Sequence, residues 1–396
     1  MIISLRFSNF YSFAQETNIS FEIGKKPALS NYDLKLENGR RLNKVTAVVG
    51  ANGSGKTQLI KPLAFLSWFV CHSFLGNKPE DPIPFQPHAL FSAKNSEFEL
   101  QFLLGNEEFR YRLVINTNKI VHESLHKKTS HLFSYIFSRD LKADGSGFDI
   151  KQQGFSFASA QAKAIRSNAS LLSAAYNYDV PEAADFVNYF HKMIFNLNVL
   201  GRRNFNQSDL FDSAELFYQN STLNQHMQQI ICELDLGMAS VRISEAEARN
   251  NSGEISTLYI PSGIHLLGET SFELPFFEES SGTQSAFVLL SRILPVLEQG
   301  GIAIIDELDN DLHPHLLPHL MDLFKFEHSN PHQAQLIFTC HTPEVLNLLK
   351  KHQVYLVQKD QQKSESWRLD EVAGLRADDN LYAKYMAGAL NAVPDL

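Results

Sequence analysis

The chain has 396 residues, 44% of them hydrophobic and 20% charged, with a formal net charge of −9. That length favours two lobes over one continuous core, and the composition is that of an ordinary folded protein. The negative balance excludes a protein that coats nucleic acid without selectivity, and no run of about 18 uncharged apolar residues argues for a membrane span.

The N-terminal MIISLRFSNFYSF alternates polar and apolar residues without a continuous apolar stretch, so it reads as a strand and not as a secretory leader. Residues 1–23 predict two strands joined at Tyr11-Ser12. LNKVTAVVG predicts a short apolar strand running straight into a glycine-rich turn. A helix beginning near Lys56 then carries Leu59, Ile60, Leu63, Leu66 and Phe69 at apolar spacing. Residues 77–87 hold four prolines and read as a loop. From Glu97 the pattern returns to strands: EFELQFLLG and EEFRYRLVIN, joined at GNEE, then KIVHESL.

Strand character fades from about 155 to 250, where SAQAKAIRSNASLLSAAYNY and AADFVNYFHKMIFNL have helical spacing. STLYIPSG and FELPFFEE read as short strands. SGTQSAFVLLSRILPVLEQ reads as a helix, GIAIIDE as a buried strand, 313–327 as a helix, AQLIFTCH as a buried strand and PEVLNLLKK as a helix. VYLVQKD and SWRLDEV close as strands. Such alternation predicts an α/β fold with a parallel sheet covered on both faces.

The basic pairs Lys25-Lys26, Arg40-Arg41, Lys127-Lys128 and Arg202-Arg203 read as solvated loop pairs. Cys71, Cys232 and Cys340 are widely spaced and odd in number, which predicts no disulfide framework and fits a cytoplasmic protein with reduced thiols.

The chemistry concentrates in four places. GANGSGKT (Gly50, Ala51, Asn52, Gly53, Ser54, Gly55, Lys56, Thr57) satisfies G-x-x-x-x-G-K-[ST] between a strand and a helix. Its glycines let backbone N–H groups turn toward phosphate, and the helix N-terminus adds partial positive charge. Lys56 would reach the terminal phosphates of ATP, and Thr57 would offer its hydroxyl to Mg²⁺. GIAIIDE places Asp306 beside that ion, held largely through water, and Glu307 where it can orient or deprotonate a water. SSGTQ stands at a helix N-terminus, and His341 ends a buried strand where ligands bind in α/β sheets.

Other patterns are set aside. NKPE is similar to a guanine-reading motif but lacks its aspartate. His313, His315 and His319 are broken by Pro314 and Pro318 and read as structural or solvated. Cys340 beside His341 would point to the opposite strand face, against thiol catalysis, and Asp378-Asp379 reads as a solvated turn.

These residues resemble the ABC-type ATPases, and within them the SMC/RecF/OLD-like branch, specifically small AAA-type ATPases associated with phage defence and abortive infection. The resemblance runs through NFYSF, GANGSGKT, FELQFLLGNEEFRYRL with VHESL, SSGTQ, IIDELDNDLHP, TCHTPEVL and NLYAKYMAGALNAVPDL. It implies a P-loop fold with an ABC-type head, an N-terminal antiparallel β portion and a helical insertion. The expected divisions are 1–150, 151–260 and 261–396. It further implies that Glu307 and His341 are catalytic, and that Ser281, Gly282, Thr283 and Gln284 form a signature acting in trans on a second copy, with Thr283 in place of the usual second glycine. His313 stands where transporters carry an aspartate, which disfavours a transporter. Neither Gln86 nor Gln101 is identifiable as the family's Q-loop glutamine.

The expected protein is an ATP-hydrolysing switch and sensor in anti-phage defence. It would act as a homodimer or higher oligomer and control a separate nuclease or toxin, since the residues after His341 lack a nuclease-like set of acids. Nucleic acid binding stays open. The alternatives are a DNA-repair ATPase that holds DNA, and an ATP-bound scaffold that needs no turnover.

Overall fold

A computed structural model of the chain describes residues 1–203, 205–234, 237–249, 255–310, 312 and 316–392. β1 (Ile2–Ser8) and β2 (Thr17–Ser20) pair antiparallel about the turn at Tyr11-Ser12, with Leu5 and Phe7 buried and Arg6 exposed between them. The ribbon of β3 (Asp33–Lys35) and β4 (Arg41–Asn43) leads to β5 (Val45–Gly50), buried throughout, and α1 (Lys56–Gly76) follows. A meander comes next: β6 (Ser96–Leu104), β7 (Glu107–Ile115), β8 (Ile120–Thr129), β9 (Leu132–Leu141) and β10 (Phe148–Gln152). Gly105, at φ +59°, supplies the positive dihedral that the two-residue β6–β7 hairpin requires.

The chain continues through α2 (Ser159–Ala164), α3 (Leu171–Asn177), α4 (Pro181–His191) and the short strands β11 (Met193–Phe195), β12 (Leu197–Asn198) and β13 (Gly201–Arg202). Next are α5 (Gln207–Gln219), α6 (Ser221–Leu234), β14 (Met238–Arg249), β15 (Ile255–Leu267), β16 (Thr270–Pro275) and α7 (Ser281–Gln299). β17 (Ile302–Ile305), α8 (Leu316–Asp322), β18 (Gln335–Cys340), β19 (Val354–Asp360), β20 (Lys363–Arg368) and α9 (Leu381–Met386) complete it.

Among the described residues two main sheets form. One is antiparallel, in the order β10-β9-β8-β7-β6-β1-β2. The other runs β11-β17-β18-β5-β19-β20 and is parallel except for β20. The α/β P-loop fold with an antiparallel β portion is therefore what the chain adopts. α1 lies between the sheets. Its Phe65 meets Phe98 of β6 at 5.2 Å, and Ile60 and Leu63 share a core with Val48, Ile304 and Ile337 of the parallel sheet. By length and composition α1 could cross a bilayer, but 67% of its most apolar stretch is buried inside the protein, as in a core helix.

The segment 151–260 is built from two unlike parts. α2, α3 and α4 share a core with α1 and the meander, and β11 is an edge strand of the parallel sheet. β14 and the start of β15 are strands within the segment expected to be a helical insertion. MASVRISEAEAR is rich in Ala and Glu, which favour helix, but pairing along β15 decides the outcome. Farther on, the described part of the expected 313–327 helix is α8 alone, and PEVLN makes only a 3-10 turn.

Three of the four basic pairs contribute residues to partly exposed ion pairs. Arg40 pairs with Glu22 at 2.9 Å and Glu108 at 2.6 Å, Lys128 with Glu108 at 2.8 Å, Lys127 with Glu107, and Arg202 with Glu307.

Candidate functional site

The carboxyl ends of β5, β17 and β18 lie side by side, because these strands are parallel neighbours in the order β17-β18-β5. Residues leaving their ends must therefore converge, and they are 50–57, Asp306-Glu307 and His341.

The loop 50–57 is held open by packing that tolerates no side chain at two glycines. A Cβ on Gly50 would strike Val357 O of β19. One on Gly55, at φ +109°, would meet Ser364 Oγ at 2.5 Å and Ser12 Oγ at 3.0 Å. Ser12 and Ser364 bond to each other at 2.6 Å, and Ser364 Oγ donates to Ser54 O at 2.6 Å. The NFYSF turn and the β19–β20 hairpin thus form the outer wall of the loop. Gly55→Ala should cost about 1–3 kcal/mol through its left-handed backbone and raise the dissociation constant for nucleotide. Thermal unfolding and fluorescent-nucleotide titration check this, and wild-type values for both would refute the packing argument.

Lys56 is buried and donates from Nζ to Gly50 O at 2.8 Å and Ala51 O at 3.0 Å, so its ammonium closes across the loop. Burial pushes its pKa down, and Asp306 and Asp309 oppose that. Thr57 Oγ1 donates to Asp306, 2.9 Å from Oδ2. Asp306 is buried, and its Oδ1 accepts from Thr339 Oγ1 at 2.7 Å. A hydroxyl and a carboxylate in contact beside a lysine form an oxygen donor set of the kind Mg²⁺ takes. Ser54 Oγ is buried without a partner inside the loop, a polar group available to a phosphate.

Glu307 stands at φ +51°, an uncommon conformation for glutamate. It is fixed by Glu307 N donating to Thr339 Oγ1 at 2.7 Å and Leu308 N donating to Thr339 O at 3.0 Å. His341 Nε2 lies 3.0 Å from Glu307 Oε1. Partial burial and the nearby Lys56 hold the His341 pKa below its ordinary value, against the pull of Asp309 and Asp306, so the ring is neutral near pH 7. Asp309 clamps the loop that carries it, accepting from His341 N at 3.0 Å and Thr342 N at 2.8 Å. A strained acid, a neutral imidazole and an adjacent ion site can together align and deprotonate a water.

Ser281, Gly282, Thr283 and Gln284 form the first turn of α7, as the sequence predicts. Ser280 caps it, accepting from Thr283 N at 3.1 Å, and Gln284 Nε2 donates back to Glu279 O at 2.8 Å. Ser281 is exposed.

Residues that sequence reasoning missed complete the site. Asn196, just beyond β11, bridges Asp306 in both directions: its Nδ2 donates to Asp306 O at 2.7 Å, and its Oδ1 accepts from Asp306 N at 2.7 Å. It holds the end of the strand next to β17. Gln101 lies in β6 of the other sheet, and Gln86 contributes its carbonyl to Tyr11 N at 2.9 Å. Arg202, read as solvated, grips Glu307. Only Asp309 had a signal, as the third acid of DELDND.

Cys340 is buried, and burial pushes its thiol well above the ordinary range, which leaves no thiolate for catalysis. His313 and His315 lie outside the described residues. Among the described ones, no group of three or more His, Cys, Asp or Glu side chains could hold a metal by itself.

A family model described as "AAA domain, putative AbiEii toxin, Type IV TA system" matches residues 45–347, more than half of the chain. No protein of curated function matches. Several solved structures are similar. The SMC head bound to the C-winged helix domain of ScpA has 14% identity and a TM-score of 0.49, with 93% of this chain and 98% of that chain covered. The SMC head domain from Thermotoga maritima has 15% identity and a TM-score of 0.45, covering 94% and 99%. The Smc head domain with a coiled coil and joint derived from Pyrococcus yayanosii has 11% identity and a TM-score of 0.45, covering 98% and 99%.

Proposed function

Because the chain belongs to this AAA-domain family, we propose that it binds ATP at residues 50–57 and hydrolyses it, working as a switch between two copies of the head. The observation that carries the reading is the convergence of Lys56, Thr57, Asp306, Glu307 and His341 at adjoining strand ends. Thr57 and Asp306 would hold Mg²⁺, which neutralises phosphate charge when bound. Glu307, kept in place by Thr339, accepts the proton of the attacking water. His341 orients that carboxylate without adding positive charge. Lys56 stabilises charge on the transferred phosphoryl group.

Ser281, Gly282, Thr283 and Gln284 present a helix N-terminus, exposed at Ser281, that suits the phosphates of a second copy. ATP then closes two heads and hydrolysis releases them. Specific ATPase rate should rise with protein concentration wherever the dimer dissociates, and ATP should drive dimerisation in sedimentation. A rate per chain that stays constant in a strictly monomeric preparation would overturn the shared site.

The family description names an AbiEii toxin and a type IV TA system, which supports a defence role. We place the protein in the cytoplasm as the sensor or regulatory subunit for a separate nuclease or toxin. Toxicity of the partner alone, relieved or triggered by this chain in an ATP-dependent way, tests that role. Salt-sensitive, ATP-dependent DNA binding without a partner would instead favour DNA repair.

A further inference from the structure

Glu307 has a neighbour that the proposed hydrolysis does not use. Arg202, at the end of β13, donates from Nη1 to Glu307 Oε2, while His341 faces the other oxygen. Behind this pair opens a half-open cleft with a cavity volume of about 50 Å³, bordered in part by Asn196, Arg202, Arg203, Ser285, Arg292 and Glu307.

Among the described residues the cleft carries more positive than negative side chains. Among the described residues three guanidinium groups meet two carboxylates there: Glu307 serves Arg202, and Asp209 serves both Arg203 at 3.2 Å and Arg292 at 3.6 Å. Asp209 is further committed to the N-cap of α5, accepting from Asn206 N at 2.9 Å. Arg202 Nε is buried with no hydrogen-bond partner. Ser285 sits near the start of α7, so the helix dipole adds to the positive field. Arg292 is crowded enough that burial, with Arg203 and Arg202 nearby, pulls its pKa below the ordinary value against Asp209. Three arginines converging on an open cleft form the donor geometry that tetrahedral oxyanions select.

We propose that this cleft is a site for free inorganic phosphate, and that Arg202 is shared between that phosphate and Glu307. The position makes the ligand the product of the reaction proposed above, and this link to turnover rests on that reading. Arg202 and His341 each hold one oxygen of Glu307, and the preceding Asp306 accepts from Thr57 of the P-loop, so the cleft adjoins the phosphate end of that loop. A phosphate that leaves the P-loop past Glu307 meets Arg202 first. Taking it up draws the guanidinium off the carboxylate, so a filled cleft and a latched Glu307 exclude each other.

The test is calorimetric titration of inorganic phosphate into the nucleotide-free full chain at fixed ionic strength, with Lys56→Ala, Arg202→Ala, Arg202→Lys and Arg203→Ala alongside. The expected site survives Lys56→Ala, weakens at least tenfold in Arg202→Ala and Arg203→Ala, and is partly restored in Arg202→Lys. One phosphate should still bind when a non-hydrolysable ATP analogue fills the P-loop. Binding that disappears in Lys56→Ala or under the analogue, or that ignores the arginine substitutions, overturns the proposal. Circular dichroism separates lost affinity from lost fold. No measurement here requires turnover, so a failed ATPase reading leaves the result interpretable.

Discussion

Replacing Glu307 with glutamine should lower the ATPase rate about 100- to 10,000-fold, the span that general-base catalysis contributes, while ATP still binds. The substitution keeps the side chain's length and the backbone's φ of +51°, so the Thr339 contacts that fix the residue persist. It removes the one oxygen charge able to take a proton from water. Lys56, Thr57 and Asp306 are untouched, so affinity for ATP should stay near wild type and closed dimers should accumulate. Lys56→Ala should do the reverse and lose binding first. Single-turnover hydrolysis and equilibrium nucleotide binding distinguish the two variants. A Glu307→Gln protein that hydrolyses at the wild-type rate would remove Glu307 from the mechanism. One that no longer binds ATP would mean its charge serves the fold of the loop.

The largest stability loss is expected far from this site, at Glu123 in β8. Glu123 and Arg139 are both fully buried, with 3.6 Å between Oε2 and Nη1. Glu123 accepts from Tyr111 Oη at 3.0 Å, Ser170 Oγ at 2.7 Å and Leu171 N at 2.9 Å, so it also anchors the start of α3. Arg139 donates to Ala169 O at 2.8 Å and Ile165 O at 2.6 Å and stacks 3.9 Å from the Phe148 ring. Glu123→Ala leaves a buried cation without its counter-ion and should cost about 3–5 kcal/mol. The double variant Glu123→Leu/Arg139→Met removes both charges and should cost less than the sum of the single changes. Urea denaturation measures both, and additive losses would show that the two charges are not coupled.

These two sites differ in how far they could be read from residues alone. The nucleotide loop was legible because its chemistry is local. Glycines, a lysine and a hydroxyl must follow one another at fixed spacing between a strand and a helix. The strand at 302–305 was legible from its apolar run, and the first turn of α7 from its small polar residues. β14 was not, because Ala and Glu favour helix until a neighbouring strand supplies pairing. Nor was the Glu123–Arg139 pair, since neither residue type discloses burial.

Sequence by itself determined the P-loop, the acids after the buried strand, and the alternation of strands and helices, because each is set by residue types and spacing within a short stretch. Tertiary structure decided what surrounds Glu307. Asn196 and Arg202 come from one stretch of chain, Thr339 from another and Glu307 from a third, and they meet only because β11, β17 and β18 lie parallel with their carboxyl ends together. Arg202 illustrates the difference. In the chain it is half of a basic pair in a loop, and in the fold it faces a carboxylate 105 residues away.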